Sequence, residues 1–241
     1  MRPMKINGRR IAGVIFDIDG TLVDSFPVFS RIFNESLKPH LLKEVSQTFL
    51  ADCLRKGLDL AAILRSLFPS NTDPAFIETY RSKVMELFLK VEAEEVKLLP
   101  GVVNLFSSLK GRNVKLGIAT GRTSPPEKEW ERFKRFGLDA YLEAIVTSRE
   151  VARRKPAPDA LFECAKRLSV PIEACLAVGD TEIDILAARE AGALPVAVST
   201  GYDSIDLLKE KQENPGLVFK DLFEFSFFLD HLEETGTKGG G

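Results

Sequence analysis

The sequence predicts an α/β fold: a doubly wound parallel sheet with an all-helical domain inserted after its first strand. Three observations lead there. Short apolar runs at Gly13–Asp19, Val114–Thr120, Ala144–Ser148, Cys175–Gly179 and Leu194–Ser199 each close on polar residues or glycine, as strands buried on both faces do. Helical periodicity separates the last four runs, which argues for parallel strands joined by crossover helices on both faces. Between Ser25 and about Leu98 no strand pattern appears, only apolar residues at three- and four-residue spacing.

The elements follow in order. Val14 to Phe16 are continuously apolar and lead into Asp17 and Asp19, with Gly20 turning the chain. Four helices are expected in the insert, at Phe26–Leu37, Leu42–Arg55, Asp59–Phe68 and Pro74–Val91, and the polar stretch Pro69–Pro74 separates the last two. In the second half, Val102–Leu109 presents Val102, Leu105, Phe106 and Leu109 on one helix face. Glu127–Phe136 presents Trp130, Phe133 and Phe136 and stops at Gly137. Pro158–Leu168 and Glu182–Ala191 complete the set, the latter ending at Gly192. The division is therefore a core of residues 1–24 and 99–241, with a helical domain at 25–98 suited to capping the carboxyl edge of the sheet. Residues 236–241 read as a disordered tail.

Bulk properties narrow the function. Hydrophobic residues make up 44% and charged residues 28%, a soluble globular balance, and the net charge of −2 gives no attraction for nucleic acid or an anionic membrane. No apolar run is long enough to cross a bilayer, and the N-terminus lacks the apolar block of a secretory signal. Cys53, Cys164 and Cys175 are scattered without CxxC spacing or histidine partners, so neither zinc nor a disulfide framework is indicated. A cytoplasmic protein is expected.

The chemistry gathers at strand exits, where open α/β sheets place their ligands. Asp17 and Asp19 leave one side of the first strand, and two carboxylates so close repel unless a cation joins them. The pair looks like a magnesium-assisted nucleophile site; an ordinary acidic turn is the plainer alternative. Thr120 and Gly121 end the second strand with a hydroxyl and a glycine N–H that can hold a phosphate oxygen together. Arg122 follows, either a fork reaching a substrate phosphate or a solvated loop charge. Lys155 stands on a loop stiffened by Pro156 and Pro158, placed to neutralise a carboxylate and a phosphoryl group. Asp180 closes the fourth strand and Asp184 lies in the first turn of the next helix, where Thr181 can cap and the helix dipole favours an acid.

Taken together, Asp17-Ile18-Asp19-Gly20-Thr21-Leu22, Thr120, Lys155-Pro156-Ala157-Pro158-Asp159 and Gly179-Asp180…Asp184 resemble, in order, the four motifs of the haloacid-dehalogenase-like superfamily. The helical insert after the first motif is similar to the phosphoglycolate-phosphatase and β-phosphoglucomutase branch. That resemblance implies a phosphatase acting on a small phosphorylated metabolite. Asp17 would be the nucleophile and form an aspartyl-phosphate, and Asp19 would be general acid and then base. Mg2+ would be held by Asp17, the Asp19 backbone carbonyl and Asp180, with Asp184 supporting. Thr120, Lys155 and backbone N–H groups near Ile18 would hold the phosphoryl oxygens. In the insert, Arg55 and Lys56 stand about where relatives carry a substrate loop; a solvated helix end is the alternative.

Asp19 argues against a dehalogenase, which lacks the second carboxylate, and against a phosphonatase, which resembles this motif with alanine there. A phosphomutase uses the same residues and stays open. A receiver-like signalling module shares the acidic cluster, Thr and Lys, but is about half this length and lacks the insert.

Overall fold

The computed structural model describes residues 4–40, 43–211 and 217–232. The expected tail at 236–241 lies outside them, as does the expected start of a helix at Leu42. The chain divides into two compact units, residues Met1–Leu22 with Leu98–Gly241, and Val23–Lys97.

The first unit opens with a hairpin of β1 (Lys5–Ile6) and β2 (Arg9–Arg10), turned at Asn7-Gly8, where both residues have positive φ. Next comes β3 (Gly13–Phe16). The chain leaves along β4 (Val23–Asp24) and returns along β5 (Lys97–Leu98), which pair as a ribbon. After the return come α5 (Val102–Gly111), β6 (Lys115–Thr120), α6 (Pro126–Arg135), β7 (Leu142–Thr147), α7 (Asp159–Leu168), β8 (Cys175–Gly179), α8 (Glu182–Ala191) and β9 (Leu194–Val198). Helix α9 (Ile205–Lys211), β10 (Val218–Phe219) and α10 (Leu222–His231) complete the unit.

The main sheet has six strands in the order β10-β9-β8-β3-β6-β7, every neighbouring pair parallel. Strand β3 is interior: Phe16 is in register with Ile118 on one side and Val178 on the other. Its four residues are all buried, and their alternation serves both layers. Ile15 joins a cluster with Ala119, Ala177, Leu161, Cys164 and Ala187, beneath α7 and α8. Phe16 points the other way and packs on Phe106 of α5, ring centroids 5.1 Å apart. This is the doubly wound architecture expected from the sequence, Rossmann-like in its layers.

Differences in detail are physical. Strand β3 ends at Phe16, before Asp17, although the Asp17 N–H still donates to the Val178 carbonyl at 2.9 Å. Helix α6 buries Glu129 and Arg132 together with Phe133. The carboxylate accepts from Arg132 at 2.9 Å and from the Ser124 hydroxyl, so a buried ion pair shares the inner face with the expected Phe133.

The second unit is helical: α1 (Phe26–Leu37), α2 (Gln47–Arg55), α3 (Leu60–Leu67) and α4 (Pro74–Glu95). Three of them begin with side-chain caps: Ser46, Asp59 and Asp73 accept backbone N–H groups of α2, α3 and α4. Helix α2 starts later than its apolar pattern suggests. The preceding Val45 is instead held in a reciprocal pair with the Asn34 amide, at 2.7 and 3.0 Å. Phe33, Leu37, Leu50, Ile63, Leu64, Ile77 and Val84 form the unit's own core. Among the described residues, no helix is long and apolar enough to cross a membrane.

Candidate active site

Parallel strands bring their carboxyl ends to one edge, so the exits of β3, β6 and β8 meet although they are far apart in sequence. Asp17 follows β3, Thr120 ends β6, and Asp180 follows β8. Lys155, on the loop after β7, reaches in from the side; its peptide bond to Pro156 is cis. The Lys155 ammonium lies 2.9 Å from Asp17 Oδ1 and 2.8 Å from Asp184 Oδ1. Asp184 is aimed by a capping box at the start of α8, where the Thr181 N–H and hydroxyl donate to its other oxygen at 3.2 and 2.5 Å.

Asp180 is almost wholly buried. Its Oδ1 accepts from Thr21 Oγ1 at 3.0 Å, and its Oδ2 from the Tyr202 N–H at 3.0 Å. Gly20, at φ +80°, lets the chain pass beside it: a Cβ there would stand 2.5 Å from Asp180 Oδ2. Thr200 Oγ1 donates to the Gly20 carbonyl at 2.6 Å, so the loop after β9 braces the loop after β3.

Asp17, Asp180 and Asp184 each offer a carboxylate oxygen within 4.8 Å of the others. One ammonium does not balance three carboxylates of which Asp180 is buried and Asp17 and Asp184 are largely so. Burial lifts Asp17 to about 7, with Asp184 and Asp19 adding to the rise and Lys155 opposing it. Asp180 is pushed up well above the usual carboxylate range by burial, and then by Asp184 and Asp17. Burial alone would lower the Lys155 ammonium, but Asp17 and Asp184 outweigh it and hold it raised. A hard dication suits this oxygen-only donor set and relieves the surplus negative charge.

Asp19 takes a different direction. Its carboxylate receives Arg122 through two bonds, Nε to Oδ2 at 2.6 Å and Nη2 to Oδ1 at 2.5 Å. Of the two sequence readings for Arg122, neither describes this: the guanidinium meets Asp19, the second carboxylate of the first motif. The Asp19 side chain stands outside the acidic cluster, which leaves only its backbone carbonyl as an expected ligand. The Thr120 hydroxyl accepts the Arg122 N–H at 3.2 Å, Gly121 is exposed at the strand exit, and Ile18 is fully buried. Arg55 and Lys56 belong to the helical unit. Arg55 ends α2 paired with Asp52, and Lys56 is exposed at the helix C-cap.

Three contributors escaped the sequence reading. Thr21 and Tyr202 hold Asp180, and Asp203 accepts the Glu182 N–H at the head of α8, at 2.9 Å. Tyr202 is pushed well above its usual range by burial and by Asp19, Asp180 and Asp17, while Arg122 opposes the shift, so its phenol lies in the field of this site. The signal was available for the last two: Ser199-Thr200-Gly201-Tyr202-Asp203 leaves a parallel strand at the same edge.

Comparisons with known proteins identify the family of the chain. The model of the haloacid dehalogenase-like hydrolase family matches residues 14–198. Fructose-1-phosphate phosphatase YqaB of Escherichia coli is 30% identical over 183 residues, 76% of this chain and 94% of that protein. A phosphoglycolate phosphatase of Shigella boydii is 26% identical, over 95% of this chain and 97% of its own. Among solved structures, a hydrolase from Pseudomonas syringae superposes with a TM-score of 0.72 at 29% identity, over 92% of this chain and 98% of that one. Family model, site order and sheet topology converge: the chain belongs to the haloacid dehalogenase-like hydrolases.

Proposed function

We propose that this hydrolase is a magnesium-dependent phosphatase of a small phosphorylated metabolite, working through an aspartyl-phosphate on Asp17. The observation that carries the reading is the grouping of Asp17 with Lys155, Asp180 and Asp184 at the carboxyl edge of the sheet. The names of the relatives in Escherichia coli and Shigella boydii support the substrate class.

Asp17, Asp180 and the Asp19 carbonyl would hold the cation, with Asp184 beside them; bound there, it would supply positive charge to the phosphoryl oxygens and help keep Asp17 ionised. An Asp17 carboxylate oxygen attacks phosphorus, and the bond from phosphorus to the alcohol oxygen breaks. Asp19 gives the departing oxygen a proton, then takes one from the water that hydrolyses the acyl phosphate. Thr120, Lys155 and the N–H groups near Ile18 and Gly121 hold the phosphoryl oxygens as charge shifts onto them.

The test is phosphate release from a panel of sugar phosphates, phosphoglycolate and nucleotides, with Mg2+ and with EDTA. Steady Mg2+-dependent turnover of at least one monoester, abolished by Asp17→Asn, is the expected result. Turnover that survives Asp17→Asn sinks the nucleophile assignment. Transfer of the phosphoryl group to a second hydroxyl of a sugar phosphate, without net release, would make the chain a phosphomutase.

A further inference from the structure

Two basic side chains enter the core site, and they do different things. Lys155 serves Asp17 and Asp184. Arg122 is 12% exposed at its side chain and grips Asp19 with both prongs of its fork. Two parallel N–H···O bonds fix both the direction and the twist of a carboxyl plane, which a single bond leaves free to rotate. The backbone beneath the guanidinium is itself tied from two strand exits. The Arg122 N–H donates to Thr120 Oγ1 at the end of β6. Its carbonyl accepts from the Ser148 N–H and from Ser148 Oγ, each at 3.0 Å, just after β7. Ser148 is buried, and its hydroxyl also lies 2.9 Å from the Gly121 carbonyl. Ser148, Arg122 and Asp19 thus form a connected line from the sheet to the second carboxylate.

We propose that Arg122 is a positioning residue that aims Asp19 at the leaving oxygen of the substrate, with Ser148 holding Arg122 in place. The inference rests on the roles proposed above for Asp17 and Asp19. When Asp19 carries its proton on the side of an oxygen turned away from Arg122, both oxygens keep a lone pair for the guanidinium and the hydrogen is presented to the alcohol oxygen. That proton leaves with the alcohol as the bond to phosphorus breaks. Water later returns one to Asp19 as its oxygen attacks phosphorus and frees the Asp17 carboxylate. Misdirection of Asp19 hurts most where the departing oxygen most needs a proton. An alkoxide needs it; a nitrophenolate leaves with much less help.

The experiment compares kcat/KM for an alkyl phosphate turned over by the enzyme with that for p-nitrophenyl phosphate, in Mg2+. The variants are Arg122→Ala, Arg122→Lys, Ser148→Ala, Asp19→Asn and the double variant of Arg122→Ala with Asp19→Asn. The alkyl-to-aryl ratio should fall on the order of tenfold or more in Arg122→Ala. The fall should be smaller in Ser148→Ala, and Arg122→Ala should change the ratio no further once Asp19 is Asn. Added guanidinium should restore part of the ratio to Arg122→Ala. Arg122→Lys keeps the charge but lacks the fork, so it carries the same comparison should the alanine variant fail to fold. An equal loss on both esters, or none, overturns the inference. An Asp19→Asn enzyme with an unchanged ratio overturns the role of Asp19 instead, and Asp17→Asn tests the nucleophile separately.

Discussion

The ammonium of Lys155 stands 2.9 Å from the carboxylate of Asp17, and both side chains are almost fully withdrawn from water. A second bond from Lys155 to Asp184 makes that ammonium the protein's own counter-charge for the acidic cluster. Removing it leaves buried carboxylates unpaired, which costs about 3–5 kcal/mol in comparable pairs. Lys155→Met should therefore lower the melting temperature in EDTA. Mg2+ should recover more of that loss than it adds to the unmodified protein, because the cation takes over the neutralising role. Thermal melts with and without Mg2+ check this, and equal Mg2+ effects in the two proteins would contradict it.

Asp180→Asn keeps the size of the side chain and much of its bonding to Thr21 and the Tyr202 N–H while removing a charge. Mg2+ affinity, measured by titration calorimetry, should weaken on the order of tenfold or more, as hard dications depend on charged oxygen ligands. The metal-free fold should be retained, since the change also relieves repulsion from Asp184 and Asp17.

Gly179→Ala tests how closely β8 approaches α8. An added Cβ would lie 2.3 Å from the Asp184 Cβ, so one of the two must move. Overpacking of this kind costs about 1–3 kcal/mol. The displacement falls on Asp184, so urea unfolding and Mg2+ affinity should worsen together. A variant as stable as the original would show that the helix start yields freely.

The buried thiols set a pH dependence. Cys175 is pushed up to about 12 by burial and by Glu173, and Cys164 is also raised, chiefly by burial. Unfolded, each returns to an ordinary value near 9. Above that value the native state keeps protons that the unfolded chain releases, so unfolding free energy falls as pH rises from about 9 towards 12. The contribution is fully present below pH 9. Urea melts across this alkaline range should show a shallower fall in Cys175→Ala than in the unmodified protein. Native Cys164 and Cys175 should resist iodoacetamide at pH 9 and react once unfolded.

Legibility followed local punctuation. Strand β8 and helix α8 have the expected limits, Cys175–Gly179 and Glu182–Ala191, because glycines and a capping residue mark their ends. The hairpin at Asn7-Gly8 carried its turn signal but too few strand residues to attract notice. Strand β10 has two residues and depends on pairing with Ala197 and Val198. Its apolar character is indistinguishable from the phenylalanine-rich helix α10 that follows. The amphipathic pattern of α6 found Phe133 but not Glu129 and Arg132 beside it, because a charged residue can be buried when its partner is buried with it.

By itself the sequence determined the parallel α/β core, the helical insertion after β3, and the meeting of Asp17, Thr120, Lys155, Asp180 and Asp184 at the sheet edge. Those follow from periodicity, turn chemistry and the rule that parallel strands all finish on one side. Only the tertiary structure decided which cation faces which carboxylate. Lys155 went to Asp17 and Asp184, Arg122 to Asp19, and Thr21 with Tyr202 to Asp180. Asp17 and Asp19 are two residues apart and carry the same side chain, so the local pattern does not say which cation each will meet. The directions of side chains arriving from β6, β7 and β9 do, because a hydrogen bond forms only where donor and acceptor are brought within about 3 Å.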